Sequence, residues 1–341
     1  MRLRRPALRT VTADRLAEIP AGDWDARLDG LGLTDAYLRR GYLRSGAALA
    51  GAEPVLLHLA GADGDVVFAA LLRDDPTDVS TPYGYGGPVA VGAGPPVAEF
   101  ASAYEQWCAR RGVVSSFVLY HPLFANQELA LPAFHQEALT GTISWSLETD
   151  DLLVGLHRHH RRMIRRARAA EVEVQIDEAP AGLDAFRALY TATMTRAGAD
   201  PFYLFGDEYW ELLASEVALV AVDVWRGEEH LAAILGLTGA PWLHYHLGGS
   251  SEAGRSLGAN HLAMLALARW GQEHGYTRLH LGGGVGGRRD SLFLYKERFA
   301  PGGERPVAIG KAVHDRERYR DLTGQSEITY AGFFPAYRAA R

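Results

Sequence analysis

One order of elements occurs twice along this chain, and that repetition limits the possible folds more than any other feature. Apolar runs at 55–59 and 66–72, separated by a turn at Gly61-Ala-Asp-Gly64, predict a β-hairpin. Runs at 217–225 and 231–238, separated by Arg226-Gly-Glu-Glu229, predict a second hairpin of the same kind. Each hairpin leads to a segment read as a strand ending in Gly-Gly. In the first half this is Tyr83-Gly-Tyr85-Gly86-Gly87, and in the second His244-Tyr245-His246-Leu-Gly248-Gly249. A helix follows in each half, with Trp107 five residues before Gly112 and Trp270 five before Gly275, glycine being a common helix stop. Strands at 115–120 and 277–281 complete the two copies. A period this long is not that of a solenoid, so it predicts two related domains, placed at 1–150 and 151–341.

The length of 341 residues suits two domains that each bury a core. With 48% hydrophobic and 22% charged residues, a packed globular protein is expected. No apolar run is long enough to span a bilayer, and Met1-Arg-Leu-Arg-Arg-Pro6 lacks the apolar stretch of a signal peptide, so a cytoplasmic location is expected. The single cysteine, Cys108, forms no internal disulfide and reads as a buried helical residue. A net charge of −6 argues against a general nucleic-acid binder and against DNA as a partner, but leaves room for a local basic patch.

Such a patch lies between the halves. Leu153, Leu156, His160, Met163, Ile164, Ala167 and Ala170 form an apolar stripe at helical spacing, and Arg158, Arg161, Arg162, Arg165, Arg166 and Arg168 cover the other faces. No acidic residue lies between Gly155 and Ala170 to pair with them, so the run is either a solvated face or a surface for phosphate or RNA. Helices are also predicted near 182–197, 207–213, 260–274 and 314–322.

The residues with the most chemistry lie between His244 and Phe299. Alternation places Trp242, His244 and His246 on one strand face and Tyr245 on the other. No carboxylate or cysteine stands at metal-site spacing from these histidines, so a cleft lining is expected and a metal is not. The run Gly282-Gly283-Gly284-Val-Gly-Gly287 is neither a Walker loop nor a Rossmann fingerprint. Lys296 follows it and reads either as a snorkelling surface group or as a charge held in a cleft, with Asp290 nearby. Arg255-Ser-Leu-Gly258-Ala-Asn260 reads either as an ordinary loop with a helix cap or as an anion site. It approaches the pyrophosphate loop of GNAT acetyltransferases, with Asn260 where Gly or Ala is expected.

Taken together, these motifs resemble those of the Fem family of aminoacyltransferases. The residues that carry the likeness are Tyr83-Gly-Tyr-Gly-Gly-Pro88, His121-Pro-Leu, Arg161-Arg-Met-Ile-Arg-Arg-Ala-Arg168, Tyr203-Leu-Phe-Gly-Asp-Glu-Tyr209 and the block from His244 to Phe299. The resemblance implies an α/β (α+β) fold of two tandem GNAT-like domains, each a mixed, mainly antiparallel sheet flanked by helices, with the acceptor side in the first and transfer in the second. It also implies transfer of an amino acid from charged tRNA to an amine, on a peptidoglycan precursor or a small natural-product intermediate, without a cofactor. On this basis Lys296 is expected to stabilise the oxyanion, Asp290 to take the amine proton, and Tyr245 to lie beside them. Tyr83, Tyr85, Phe205, Tyr209, His244, His246, Gly283 and Gly284 are expected to line the substrate site, and Arg158, Arg161, Arg162, Arg165, Arg166 and Arg255 to meet phosphate. Peptidoglycan enzymes often carry arginine where Phe205 stands, which favours a smaller or less anionic amine here. The alternatives are an acyl-CoA-dependent N-acyltransferase and a non-catalytic binding protein of the same fold.

Overall fold

The computed structural model describes residues 15–339, so the Met1–Pro6 stretch read above lies outside the described residues. In chain order the first half contains β1 (Leu16–Glu18), α1 (Trp24–Gly30), α2 (Arg40–Ala50), β2 (Ala52–Ala60), β3 (Asp63–Arg73), β4 (Asp78–Ser80), β5 (Val89–Gly94), α3 (Val97–Arg111), β6 (Ser115–Leu119) and β7 (His135–Ser146). Then come α4 (Arg158–Arg168), β8 (Glu173–Asp177), α5 (Asp184–Ala197), α6 (Asp207–Glu216), β9 (Leu219–Arg226), β10 (Glu229–Gly239) and β11 (Trp242–Ser250). The remainder is α7 (Glu252–Leu257), α8 (Ala259–Glu273), β12 (Arg278–Gly282), α9 (Ser291–Glu297), β13 (Glu304–Val313) and α10 (Arg316–Thr323).

The chain divides into two compact units that are interleaved in sequence. Residues 28–51 belong with 138–307, and residues 308–341 with the first unit, so the units differ from a linear split at 150 in three segments, 28–51, 138–150 and 308–341. In the first unit β1, β2, β3 and β4 pair antiparallel in that order, β4 lies parallel to β6, and β6 pairs antiparallel with β13. In the second, β8, β9, β10 and β11 pair antiparallel in that order, β11 lies parallel to β12, and β12 pairs antiparallel with β7. The two sheets therefore share one strand order and one pattern of directions. Each takes its sixth strand from the other half of the sequence.

The repeated tryptophan marks equivalent places in the two copies. Trp107 Nε1 on α3 donates to Glu18 at the end of β1 at 2.6 Å, and Trp270 Nε1 on α8 donates to Glu178 just past β8 at 2.9 Å. In both copies a helix laid across the sheet is thereby tied to the first strand. One expected strand is missing: Tyr83-Gly-Tyr-Gly-Gly makes only an isolated bridge, Gly86 to Tyr120, between Pro82 and Pro88. Proline supplies no ladder donor, so the strand next to β6 is the three-residue β4 instead. Asn126 holds the segment by donating from Nδ2 to the carbonyls of Gly86 and Pro88, both at 2.9 Å.

The core of the second unit packs α8 on its sheet. Leu262, Ala263, Met264, Leu265 and Leu267 of the helix meet Val220, Val222, Ile234, Leu243 and Leu279. Each fully buried aliphatic side chain of this kind contributes about 1.5–3 kcal/mol. That burial fixes the end of β12 and the start of α9, from which the candidate site is built.

Candidate functional site

The predicted Arg-rich helix forms as α4, beginning at Arg158, while Leu153 and Leu156 lie in the turn before it. His160, Ile164 and Ala167 make its buried edge. Arg161 folds back onto the carbonyls of Val154 and Leu156, at 3.3 and 2.7 Å, and Arg162 reaches His159 Nδ1 at 3.3 Å. Arg158, Arg165, Arg166 and Arg168 are exposed, and among the described residues none of the six pairs with a carboxylate. The helix therefore presents uncompensated positive charge, which an anion would relieve.

The Arg255 segment has a different shape from an open phosphate loop. Residues 252–257 form α7, and Gly258 alone, at φ 83°, separates it from α8. A Cβ on Gly258 would lie 2.7 Å from the carbonyl oxygen of Met163, so α4 sits against the start of α8 where a pyrophosphate would dock. Arg255 itself is exposed on α7.

The Gly-rich end of β12 brings Lys296, Asp290, Tyr245, Gly283 and Gly284 together. Asp290 caps α9: one carboxylate oxygen accepts from Phe293 N at 2.9 Å, and the other accepts from Val285 N at 3.0 Å. A Cβ on Gly284 would overlap the Arg288 carbonyl and the Asp290 carboxylate, which is why this turn needs glycine. Burial pushes the Asp290 carboxyl up, but the backbone N–H bonds from Phe293, Val285 and Leu292 outweigh it and hold the pKa below the usual carboxylate value. A carboxylate held in this way is a weak base. Its position suits shaping the loop better than accepting a proton.

α9 carries Lys296 into the interior, where its side chain is 6% exposed. Nζ donates to the carbonyl of Gly283 at 2.7 Å and lies 5.5 Å from the centre of the Tyr245 ring. Burial lowers its pKa to about 7, partly offset by the charge of Asp290. Of the two readings open from sequence, the buried charge is the one the fold adopts. Burial also pushes the Tyr245 phenol up to about 12, so it stays protonated at neutral pH.

His244, His246, Phe205 and Tyr209 lie in the same unit, in a buried polar and aromatic group. His246 is the extra residue of a β-bulge, because Leu247 pairs with Leu235 while Tyr245 pairs with Gly236. Its Nε2 lies 2.7 Å from Tyr209 Oη, and burial, with His244 nearby, lowers its pKa to about 3, so the ring is neutral near pH 7. Phe205 is buried and stacks on Tyr190, with Tyr209 4.5 Å away between ring centres. Tyr83 and Tyr85 belong to the first unit, where they are half-buried and Tyr85 lies 6.1 Å from His121.

Sequence reasoning missed two members of this group. Asp35 accepts from His244 Nε2 at 2.7 Å, and His244 Nδ1 lies 3.2 Å from His280 Nδ1, with all three residues buried. Because a carboxylate only accepts, His244 carries a proton on Nε2. His280 was discoverable, being the histidine of Leu-His-Leu-Gly placed opposite His244 in parallel register. Asp35 lies 209 residues from His244, and no local pattern marks it.

Residues 156–297 match the acetyltransferase (GNAT) domain family. Among solved structures the chain is similar to FemX at 14% identity, covering 91% of this chain and 100% of that one with a TM-score of 0.65. It is also similar to a tandem GNAT protein from the clavulanic acid biosynthesis pathway, solved without AcCoA, at 12% identity, 88% and 98% coverage and a TM-score of 0.52. The fold is a tandem GNAT fold. A third likeness is to L-PGS from Bacillus licheniformis, at 13% identity, 88% and 93% coverage and a TM-score of 0.58. No curated protein matches the chain in sequence. The tandem GNAT architecture agrees with the duplication read from the two hairpins, and no helix among the described residues is long and apolar enough to cross a membrane. The matched domain contains α4, the Gly-rich turn and Lys296.

Proposed function

We propose that this tandem GNAT protein is an aminoacyltransferase that moves an amino acid from charged tRNA to an amine acceptor and forms an amide. The observation that carries the reading is Lys296, a buried amine at a glycine-rich strand end with its Nζ on the Gly283 carbonyl. The neutral acceptor amine attacks the ester carbonyl, the C–N bond forms, and the carbonyl oxygen becomes an oxyanion. Collapse breaks the ester C–O bond, and the amine proton leaves with the departing ribose oxygen. Ester aminolysis is downhill, so the protein's tasks are orientation and charge stabilisation. Lys296 in its ammonium form stabilises the oxyanion, Tyr245 packs against it, and Asp290 positions both Lys296 and Gly283 by capping α9. The exposed arginines of α4, with Arg255 on the neighbouring helix, meet tRNA phosphates. Tyr209, His244 and His246 line the acceptor side of this unit. Phe205 in an apolar stack supplies no cation for a diphosphate, which favours a small amine over a nucleotide-linked peptidoglycan precursor.

An acyl-CoA donor is the competing reading, and the approach of Met163 to Gly258 disfavours it because the start of α8 is covered. The test is transfer from individually charged tRNAs to a panel of small amines. Lys296→Ala is expected to lower kcat by about 10²–10³, the effect of losing one oxyanion donor. Arg162→Glu is expected to weaken salt-sensitive tRNA binding. Protection against unfolding by CoA, with no transfer from any charged tRNA, overturns the proposal.

A further inference from the structure

Beside Tyr295 of α9, three histidines converge that the transfer reaction does not use. His159 and His160 come from α4 and His261 from the first turn of α8. One ring nitrogen from each lies within 4.8 Å of the other two. The His160 and His261 rings meet edge to face at 4.5 Å, and His159 lies 5.8 and 6.0 Å from them. His160 is fully buried, His261 is buried, and His159 is half-buried, so the group is closed on two sides and open to solvent on the third.

The hydrogen bonds around His160 and His261 prepare those two rings for a ligand, whereas His159 Nδ1 accepts from Arg162 at 3.3 Å and binding an ion through it requires Arg162 to swing away. His160 Nε2 faces the Tyr295 carbonyl at 2.9 Å, and because a carbonyl only accepts, the proton sits on Nε2 and the lone pair on Nδ1. That Nδ1 is buried and makes no hydrogen bond. A buried acceptor left unsatisfied is destabilising, so its place beside two further imidazoles calls for a ligand. His261 repeats the arrangement: Nδ1 lies 3.1 Å from Asn260 Oδ1, which leaves the Nε2 lone pair available. A ring nitrogen fixed by an outer carbonyl while the other carries a free lone pair is how metal-binding histidines are commonly oriented.

We propose that His159, His160 and His261 form a binding site for a divalent transition ion that favours imidazole, of the Zn²⁺ type, with water in the fourth position. Zn–N bonds of about 2.0–2.1 Å require ring nitrogens about 3.4 Å apart. Closing to that spacing calls for a shift of about an ångström, which the half-exposed His159 side chain supplies. The charged neighbours are Arg162 and Arg298, with His157 beside them. Their positive charge works against the ion and favours hydroxide over water as the fourth ligand. An ion here would fasten α4 to α8 and bear on the Tyr295 carbonyl, next to Lys296. No sequence motif marks this site, because its ligands are split between two helices about a hundred residues apart.

The experiment uses the tag-free full chain stripped with chelator, titrated with Zn²⁺ against a chromophoric competitor and, in parallel, with Co²⁺ followed by its visible spectrum. One equivalent is expected to bind, with the intense d–d bands of a low-coordinate cobalt site. His159→Gln and His261→Gln are each expected to weaken binding at least tenfold. Because His159 is half-exposed, its variant keeps the fold, which circular dichroism checks. Absence of stoichiometric binding overturns the proposal. So does binding that both variants retain, since the ion would then be held by other histidines. The readouts are independent of acyl transfer, so failure of the proposed reaction leaves this test intact.

Discussion

Replacing Lys296 by methionine keeps the length of the side chain and removes its charge, and the structure fixes how the effect must vary with pH. The unfolded chain keeps the lysine proton up to about 10.5, whereas the folded chain gives it up at about 7 because burial penalises the ammonium. At 1.36 kcal/mol per pKa unit, the gap amounts to roughly 5 kcal/mol of native-state penalty when both states are protonated, that is, below pH 7. As pH rises from 7 towards 10.5 the unfolded state still binds the proton and the folded state does not, so wild-type stability rises with pH. The penalty is therefore complete at pH 6 and about half relieved at pH 9. Lys296→Met, measured by urea unfolding against wild type, is expected to gain roughly 3 kcal/mol more at pH 6 than at pH 9. The packing of the methionine enters both values equally and cancels, as does the titration of every other group. A stability difference that is the same at both pH values would show that Lys296 keeps an ordinary pKa. The placement of a poised amine at the transfer site would then be wrong.

Asp290→Ala is expected to cost about 1 kcal/mol through loss of the α9 cap and to lower transfer, whereas Asp290→Asn keeps a capping oxygen and most of both; equal loss of transfer in the two variants would mark the carboxylate as the base after all. His160, His246 and His261 all have depressed pKa values, so stability present near neutral pH is lost as pH falls from about 6.5 towards 3–4. At pH 5 each is expected to cost roughly 2 kcal/mol, seen as a lower melting temperature than at pH 7.5. Residues 1–150 and 151–341 expressed separately each lack the sixth strand of a sheet, and neither is expected to show cooperative thermal unfolding, which calorimetry checks.

Much of the fold can be read locally. Both hairpins, α5, α6 and α8 follow from apolar periodicity and glycine stops, because their stabilising contacts lie on one face of one element. What escaped is non-local. Strand β4 is too short to show alternation, and the identity of the sixth strand in each sheet depends on which edge is free once five strands have paired. At the site, Lys296 and its Gly-rich turn stand within one sequence block and were found together. Asp35 and the trio of His159, His160 and His261 were not, because the chain between their members is long and only packing brings them within reach. The capping role of Asp290 was visible in principle, since Asp-Ser-Leu-Phe before a helix is a plain N-cap signal.

The exchanged sixth strands also set an order of completion during synthesis. β7 leaves the ribosome early, but its partner β12 does not exist until most of the chain has been made. The first sheet waits longer still: the residues that cover β6, 309–313, are among the last to emerge. Throughout elongation the earliest strands therefore stand with an open backbone edge, the kind of surface that recruits other chains. The unit that starts first finishes last, and its exposure time grows with every residue inserted between the two halves.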